Sequence, residues 1–126
     1  LAPVAQLYYA LRILEVLAEA LHHGTVLGLP ELSKKFHIGF DSMEQILEKL
    51  SRADMVRKLA GNGWVMIRAA EHIQLKELHQ LFISDPGLLA DIDDETGLRP
   101  WLAEMIDEYP VKFSMTLEEL FAQRRA

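Results

Sequence analysis

The sequence contains no cysteine among its 126 residues. This absence excludes disulfide bonds, zinc sites built on thiolates, iron–sulfur clusters held by cysteine, and cysteine nucleophiles. It also agrees with a reducing compartment. Half of the residues are apolar and a quarter are charged, which is the composition of a globular chain with a core of its own.

The sequence also lacks a hydrophobic run long enough to cross a membrane. Its most apolar stretch, residues 4–21, is interrupted by Arg12, Glu15 and Glu19, whereas a spanning helix needs about 20 predominantly apolar residues. No signal peptide is visible. The chain begins at Leu1 without an initiator methionine. We therefore expect a soluble fragment of a longer protein.

Positive charge is scarce in the second half of the chain. Residues 1–70 carry eight basic and seven acidic side chains, whereas residues 71–110 carry ten acids against Lys76 and Arg99, within a total net charge of −6. A surface that binds a polyanion over a wide area shows the opposite bias. Composition therefore disfavours nucleic acid as a partner without excluding it.

No motif for catalysis or metal binding is recognisable. His22 and His23 are adjacent, so on a helix their side chains point about 100° apart, and no HExxH pairing exists. The acidic run at 91–97 does not fit a calcium loop, because its sixth and twelfth positions are Thr96 and Leu102. No serine lies in a nucleophile elbow, and no glycine-rich phosphate loop is present. We predict no catalytic residues, no metal, no cofactor and no small-molecule substrate, and therefore no enzyme.

The first third of the chain predicts two helices. Apolar residues recur at spacings of three and four along residues 4–21, which indicates an amphipathic helix beginning near Pro3 and ending at Gly24. Residues 25–27 form a short extended piece. A second helix follows at residues 30–36.

The next segment predicts a third helix and a β-hairpin. Asp41 or its neighbour caps the helix, and Glu44 lies at the reciprocal position of a capping box. Two β-rich runs, 55–59 and 64–68, flank a Gly-Asn-Gly tip. The third helix buries one apolar stripe, which consists of Met43, Ile46, Leu47, Leu50 and Ala53.

The order of these elements is that of a winged helix. The prediction is a mostly α fold, a winged helix-turn-helix with a short β-hairpin wing and additional C-terminal helices. Residues 1–83 form the core. Residues 84–126 supply an acidic loop at 84–97, a helix around 101–106 and a short amphipathic piece at 116–121, all packing on the core as one domain.

DNA binding is the main alternative, because a helix-turn-helix usually places its second helix in the major groove. The predicted third helix carries two or three exposed carboxylates there, and the hairpin tip at 60–63 is uncharged. Under this alternative the contacts to nucleic acid come from Lys34, Lys35, Ser42, Gln45, Lys49, Arg52 and Lys58.

Several phrases of the sequence resemble known families. They are residues 11–20, 32–38, 43–50, 55–57 and 63–68. Together with Ile73-Gln-Leu-Lys-Glu-Leu78, they resemble the iron–sulfur and nitric-oxide-sensing bacterial repressors. The sensor cysteines of that family are absent here, so the resemblance does not carry its regulatory chemistry.

The closer resemblance is to the C-terminal cytoplasmic extension of the YihY/BrkB family of bacterial inner-membrane proteins. It includes the closing phrase Met115-Thr-Leu-Glu-Glu-Leu-Phe121. This resemblance implies a parent protein in the membrane and a fragment at its cytoplasmic face. The family label "ribonuclease BN" implies tRNA processing, although no residue here supports nuclease chemistry.

Our leading hypothesis is therefore a non-catalytic cytoplasmic domain of a YihY-like membrane protein. The winged-helix scaffold then serves protein interaction or self-association. The alternatives are a DNA-binding transcriptional regulator and a part of a tRNA-processing ribonuclease.

Overall fold

The computed structural model describes residues 1–83, 95, 97–102 and 114–126. Residues 99–102 are helical. The other elements, in chain order, are α1 (Pro3–His22), β1 (Leu27–Gly28), α2 (Leu29–Phe36), α3 (Phe40–Arg52), β2 (Val56–Lys58), β3 (Gly63–Met66), a 3₁₀ turn (Ala70–His72), α4 (Leu75–Phe82) and α5 (Leu117–Arg125). The predicted mostly α winged helix is confirmed.

The three strands form one antiparallel sheet in the order β1–β3–β2. The hairpin register pairs Val56 with Met66 and Lys58 with Trp64, and β1 pairs Leu27 with Trp64 on the other side of β3. Asn62 closes the hairpin tip with a positive φ of 67°, a conformation that asparagine tolerates better than most residues. The strands of the wing are shorter than the sequence predicted.

The core lies between α1, α3, α4 and the sheet. Four of the five residues of the predicted α3 stripe are confirmed, because Met43, Ile46, Leu47 and Leu50 are all fully buried. The fifth, Ala53, follows the end of α3 as its C-cap and is only half-buried. The buried face of α1 differs from its apolar repeat. Its buried residues are Ala10, Ile13, Leu14, Leu17 and Ala20, whereas Val4, Tyr8 and Leu21 are exposed.

The predicted capping box of α3 is wrong. The N-cap is Gly39 in an extended conformation, so α3 begins at Phe40, Asp41 lies inside the first turn, and no side chain caps the helix. Glutamates cap α2 and α4 instead, whereas α5 is capped by Thr116, whose hydroxyl oxygen accepts from the N–H of Glu119 at 3.1 Å, and α1 has no side-chain cap. The Glu31 carboxylate accepts from the backbone N–H of Gly28 at 2.9 Å at the start of α2. At the start of α4, the Glu77 carboxylate accepts from the backbone N–H of Gln74 at 3.0 Å in the same way.

The C-terminal helix α5 packs back onto the winged helix. Its Leu117 and Phe121 are buried in the same core. The N–H of Leu117 donates to the carbonyl of Ile73 at 2.7 Å. Arg124 makes two hydrogen bonds to the Glu15 carboxylate of α1, at 2.8 and 3.2 Å. Side chains 109 positions apart in the sequence therefore join α5 to α1.

Most of the predicted acidic loop at 84–97, and the predicted helix beyond Leu102, lie outside the described residues. Within the described ranges, no helix combines the length and apolarity needed to span a bilayer.

Candidate nucleic-acid interface

The outward side of α3 is the surface that a winged helix turns toward a DNA groove. Opposite its buried stripe lie five exposed residues, which we call the outer face of α3: Asp41, Glu44, Gln45, Glu48 and Arg52. At 100° per residue these positions fall within about 100° around the helix axis. The outer face is therefore one continuous strip.

Three of the five outer-face residues are acidic. We call Asp41, Glu44 and Glu48 the α3 carboxylates. In the part of the chain that the structure describes, none of these three carboxylates forms a hydrogen bond or an ion pair with another side chain. Asp41 lies in the first turn of α3, where its negative charge interacts favourably with the helix dipole. The groove-facing strip is thus anionic over its first two turns.

Lys49 does not join the outer face. Its ammonium donates to the Gln6 side chain of α1 at 3.1 Å and lies 5.3 Å from the centre of the Phe82 ring of α4. Lys49 is partly buried in this setting. Its charge is used between helices, so a contact to a bound duplex would require these interactions to break.

The other residues predicted to contact nucleic acid are dispersed. Lys34 and Lys35 are exposed in the last turn of α2, and Lys58 is exposed on β2. Ser42 is half-buried at the start of α3. Of the seven predicted residues, the structure places only Gln45 and Arg52 together on the outer face. The hairpin tip between the strands carries no charged side chain.

Phe40, the first residue of α3, was not identified from the sequence. Its side chain is 54% exposed and lines an open cleft of about 270 Å³ between α2, α3 and the hairpin. We call this space the wing cleft; its walls are Leu29, Pro30, Phe40, Glu44, Lys58, Asn62 and Trp64. The sequence feature that could have identified Phe40 is an aromatic residue placed outside the buried stripe of its helix.

Arg68 and Glu77 form a second feature that the sequence did not reveal, behind the outer face. Arg68 donates from Nη1 to Glu77 Oε1 at 2.8 Å and from Nη2 to the carbonyl of Ala53, which ends α3, at 2.6 Å. Glu77 Oε2 accepts from the N–H of Gln74 at 3.0 Å. We call this arrangement the Arg68–Glu77 latch. It joins the end of the wing, the end of α3 and the start of α4.

The latch also sets the protonation of Glu77. Burial by itself raises the pKa of this carboxyl group, but the Arg68 guanidinium and the Gln74 N–H together outweigh burial. The pKa of Glu77 is therefore lowered from its ordinary value of 4.5. Glu77 stays ionised at neutral pH and keeps the latch closed.

Comparison with known proteins identifies this architecture. The sequence model of the Rrf2 family, described as "Iron-dependent Transcriptional regulator", matches residues 5–97. The crystal structure of Staphylococcus aureus CymR superposes with a TM-score of 0.63 at 20% identity, covering 92% of this chain and 94% of that one. The IscR structure from T. potens gives 0.63 at 17% identity, covering 94% and 85%. At these identities the likeness shows the fold alone.

Sequence relatives point to membrane proteins. A UPF0761 membrane protein of Nitrosospira multiformis is 31% identical over 117 residues, which are 92% of this chain and 28% of that protein. Another, from Azoarcus sp., is 28% identical over 120 residues, or 95% of this chain and 29% of that protein. This chain thus spans less than a third of the length of these relatives. The resemblance to the YihY/BrkB family is confirmed.

The residues present do not fit the iron that the family description implies. The chain has no cysteine to supply thiolate ligands. Among the described residues, no three histidine, aspartate or glutamate side chains lie close enough together to hold a metal ion.

Proposed function

This chain belongs to the Rrf2 family of winged-helix proteins and is homologous to the UPF0761 membrane proteins. We propose that it is a non-catalytic cytoplasmic domain of such a membrane protein. In this proposal the winged-helix scaffold contacts protein instead of DNA. The partner is either another part of the same membrane protein or a further copy of it. The observation that supports this proposal is the anionic outer face of α3.

The outer face opposes DNA electrostatically. A carboxylate about 7 Å from a phosphate is repelled by about 0.6 kcal/mol in water, so three of them cost roughly 2 kcal/mol. Affinity of winged helices for DNA rests largely on cations that neutralise phosphates. Here Lys49 is engaged by Gln6 and Phe82, and Arg52 is the one cation among the five residues of the outer face.

A membrane parent offers a suitable protein partner. Cytoplasmic loops of inner-membrane proteins carry an excess of lysine and arginine. A domain held at that face meets cationic segments at high effective concentration, because it is tethered to them. The negative charge that repels DNA attracts such segments.

The first experiment locates the gene product and its hydrophobic segments. We expect the natural gene product to sediment with the membrane fraction and to contain several hydrophobic spans outside these 126 residues. A product that stays in the soluble fraction and has no such spans would contradict the membrane part of the proposal.

The second experiment identifies what α3 touches. A photo-crosslinking amino acid replaces Gln45 on the outer face of α3 in the natural gene product, and crosslinks are formed in cells. We expect protein adducts that mass spectrometry assigns to the same polypeptide or a second copy. The matched control replaces Gln123, which is exposed on α5. Nucleic-acid adducts specific to position 45 would overturn the proposal.

The second candidate function is that of a DNA-binding regulator. The Rrf2 fold favours it, because the scaffold is of the DNA-binding type. It predicts duplex binding that weakens steeply with salt and that falls in Lys34→Ala or Arg52→Ala. Anisotropy titrations of genomic duplex fragments at low salt test this directly, and we expect no binding.

No contact among the described residues favours the ribonuclease alternative.

A further inference from the structure

The wing cleft is large enough to accept one bulky side chain. Its volume is about 270 Å³, whereas a protein cavity of about 150 Å³ already accepts benzene. Leu29 and Pro30 at the start of α2 form one wall, and Trp64 on β3 forms another. The cleft is therefore shaped for an apolar group approaching from solvent.

Phe40 marks the same cleft as a contact surface. Phe40 is the first residue of α3 and lies outside its buried stripe, and its side chain is 54% exposed. Single exposed apolar residues are common on protein surfaces. Here, however, the exposed ring adjoins a preformed cleft with Leu29, Pro30 and Trp64 in its walls, and an apolar-walled pocket is typical of an anchor site in a protein interface.

The charge around the cleft selects among possible occupants. Glu44 lines the cleft, and Asp41 and Glu48 lie on the same side of α3. Lys58 is the cation on the wall of the wing. Arg52 lies two helical turns beyond Glu44, about 12 Å along the axis. The cleft lining therefore holds one carboxylate and one ammonium, and the excess of negative charge lies beside it on the outer face of α3.

From this combination we infer that the wing cleft binds a lysine- and arginine-rich protein segment. One bulky apolar side chain of that segment enters the cleft beside Phe40, and its cations face the α3 carboxylates. This inference rests on the proposed function and names the chemistry of the partner. It deepens that proposal by assigning the interaction to one surface.

Two other occupants fit less well. Duplex DNA would bring phosphates against carboxylates of the same sign. A second copy bound through a symmetric contact at this surface would place the α3 carboxylates of both copies against each other. A cationic segment meets neither obstacle.

The test uses the 126-residue chain and short fluorescent peptides. The probe peptide has a central leucine flanked by lysine and arginine. One comparison peptide replaces the leucine by serine, and another replaces the cations by glutamate. We expect saturable binding of the probe, roughly ten-fold weaker binding of the serine peptide, and none of the glutamate peptide. The indole N–H resonance of Trp64 should shift on binding.

Matched variants distinguish binding of the peptide at the wing cleft from non-specific attraction between a cationic peptide and an anionic protein. Glu44→Gln with Glu48→Gln removes two charges from the outer face, and we expect about five-fold weaker binding, as for two exposed ion pairs. Glu71→Gln with Glu118→Gln removes two exposed charges elsewhere and should change affinity less than two-fold. Phe40→Ala should weaken binding about ten-fold. Circular dichroism checks that each variant is folded.

Three results would overturn the inference: no measurable binding of the probe peptide, equal losses in both double variants, or equal affinity for the serine peptide. Crosslinking at Gln45 separates these failures from failure of the proposed function. Protein adducts at that position without peptide binding reject the cleft and leave the proposed function standing. Nucleic-acid adducts at that position reject both.

Discussion

Removing Glu77 is the sharpest test of how the candidate interface is held in place. Glu77→Ala deletes the hydrogen bond from Arg68 at 2.8 Å and the bond from the N–H of Gln74 at 3.0 Å. It leaves the guanidinium of Arg68 with its bonds to the carbonyls of Ala53 at 2.6 Å and His72 at 3.5 Å. The variant therefore opens the Arg68–Glu77 latch without removing apolar surface from the core.

The expected cost follows from the exposure of the pair. The side chains of Arg68 and Glu77 are 27% and 35% exposed, which places the pair between a surface salt bridge and a buried charge-assisted bond. We take about 1 kcal/mol for it and about 1 kcal/mol for the lost helix cap. The free energy of unfolding should fall by about 2 kcal/mol, which lowers Tm by about 8 °C for a chain of this size.

Urea unfolding followed by circular dichroism measures this change. Glu71→Ala is the matched control, because Glu71 is an exposed glutamate in the preceding 3₁₀ turn, and it should change stability by less than about 0.5 kcal/mol. If Glu77→Ala stays within the same limit, the latch does not stabilise the fold and the reasoning is refuted.

The dependence on pH supplies a second check on the latch. The pKa of Glu77 is lowered in the folded state from its ordinary value of 4.5, so ionised Glu77 stabilises the fold above that value. The stabilisation is lost as the pH falls through the lower folded pKa. The difference in stability between the wild type and Glu77→Ala should therefore be full at neutral pH and shrink as the pH falls below the ordinary pKa of 4.5. If the stability difference between the wild type and Glu77→Ala grew in acid, the pKa of Glu77 would have to be raised by folding instead of lowered.

Three further predictions concern the recognition helix, a strained turn and the core. Changing Asp41, Glu44 and Glu48 together to lysine should create duplex binding with a log–log salt slope of about −2.7, measured by anisotropy; no gain would show that α3 cannot reach a duplex. His37→Gly should raise stability by about 0.5–1 kcal/mol in thermal unfolding, because His37 has φ of 55°, and a loss would reveal a stabilising role for the imidazole. Phe82→Ala should cost about 3–5 kcal/mol in urea unfolding, because the ring is fully buried; a cost near 1 kcal/mol would mean that the core collapses around the gap.

The order of the elements could be predicted from the sequence because its signals are local. Pro3 and Gly24 mark the two ends of the first helix, and the Gly-Asn-Gly tip marks the hairpin. The buried stripe of α3 was also predicted correctly for four of its five residues, all except Ala53. That helix is apolar on one side only, so its spacing admits one buried face.

The face of α1 could not be predicted in the same way. Apolar residues lie around most of that helix, so the repeat at spacings of three and four fits more than one buried face. Packing against β3, α3 and α4 selected the face that contains Ile13 and Leu17 and left Val4 and Tyr8 exposed. This choice depends on neighbours that are distant in the sequence.

Sequence alone determined the winged-helix scaffold, the absence of thiol ligands and the acidic character of the third helix, because each follows from residue type and short-range spacing. Only the tertiary structure decided how individual charges are used. It placed Lys49 against Gln6 and Phe82, paired Arg68 with Glu77, and opened the wing cleft beside Phe40. The physical reason is that helix periodicity fixes which residues share a face. The partner across that face is fixed by packing between segments that the sequence does not place next to each other.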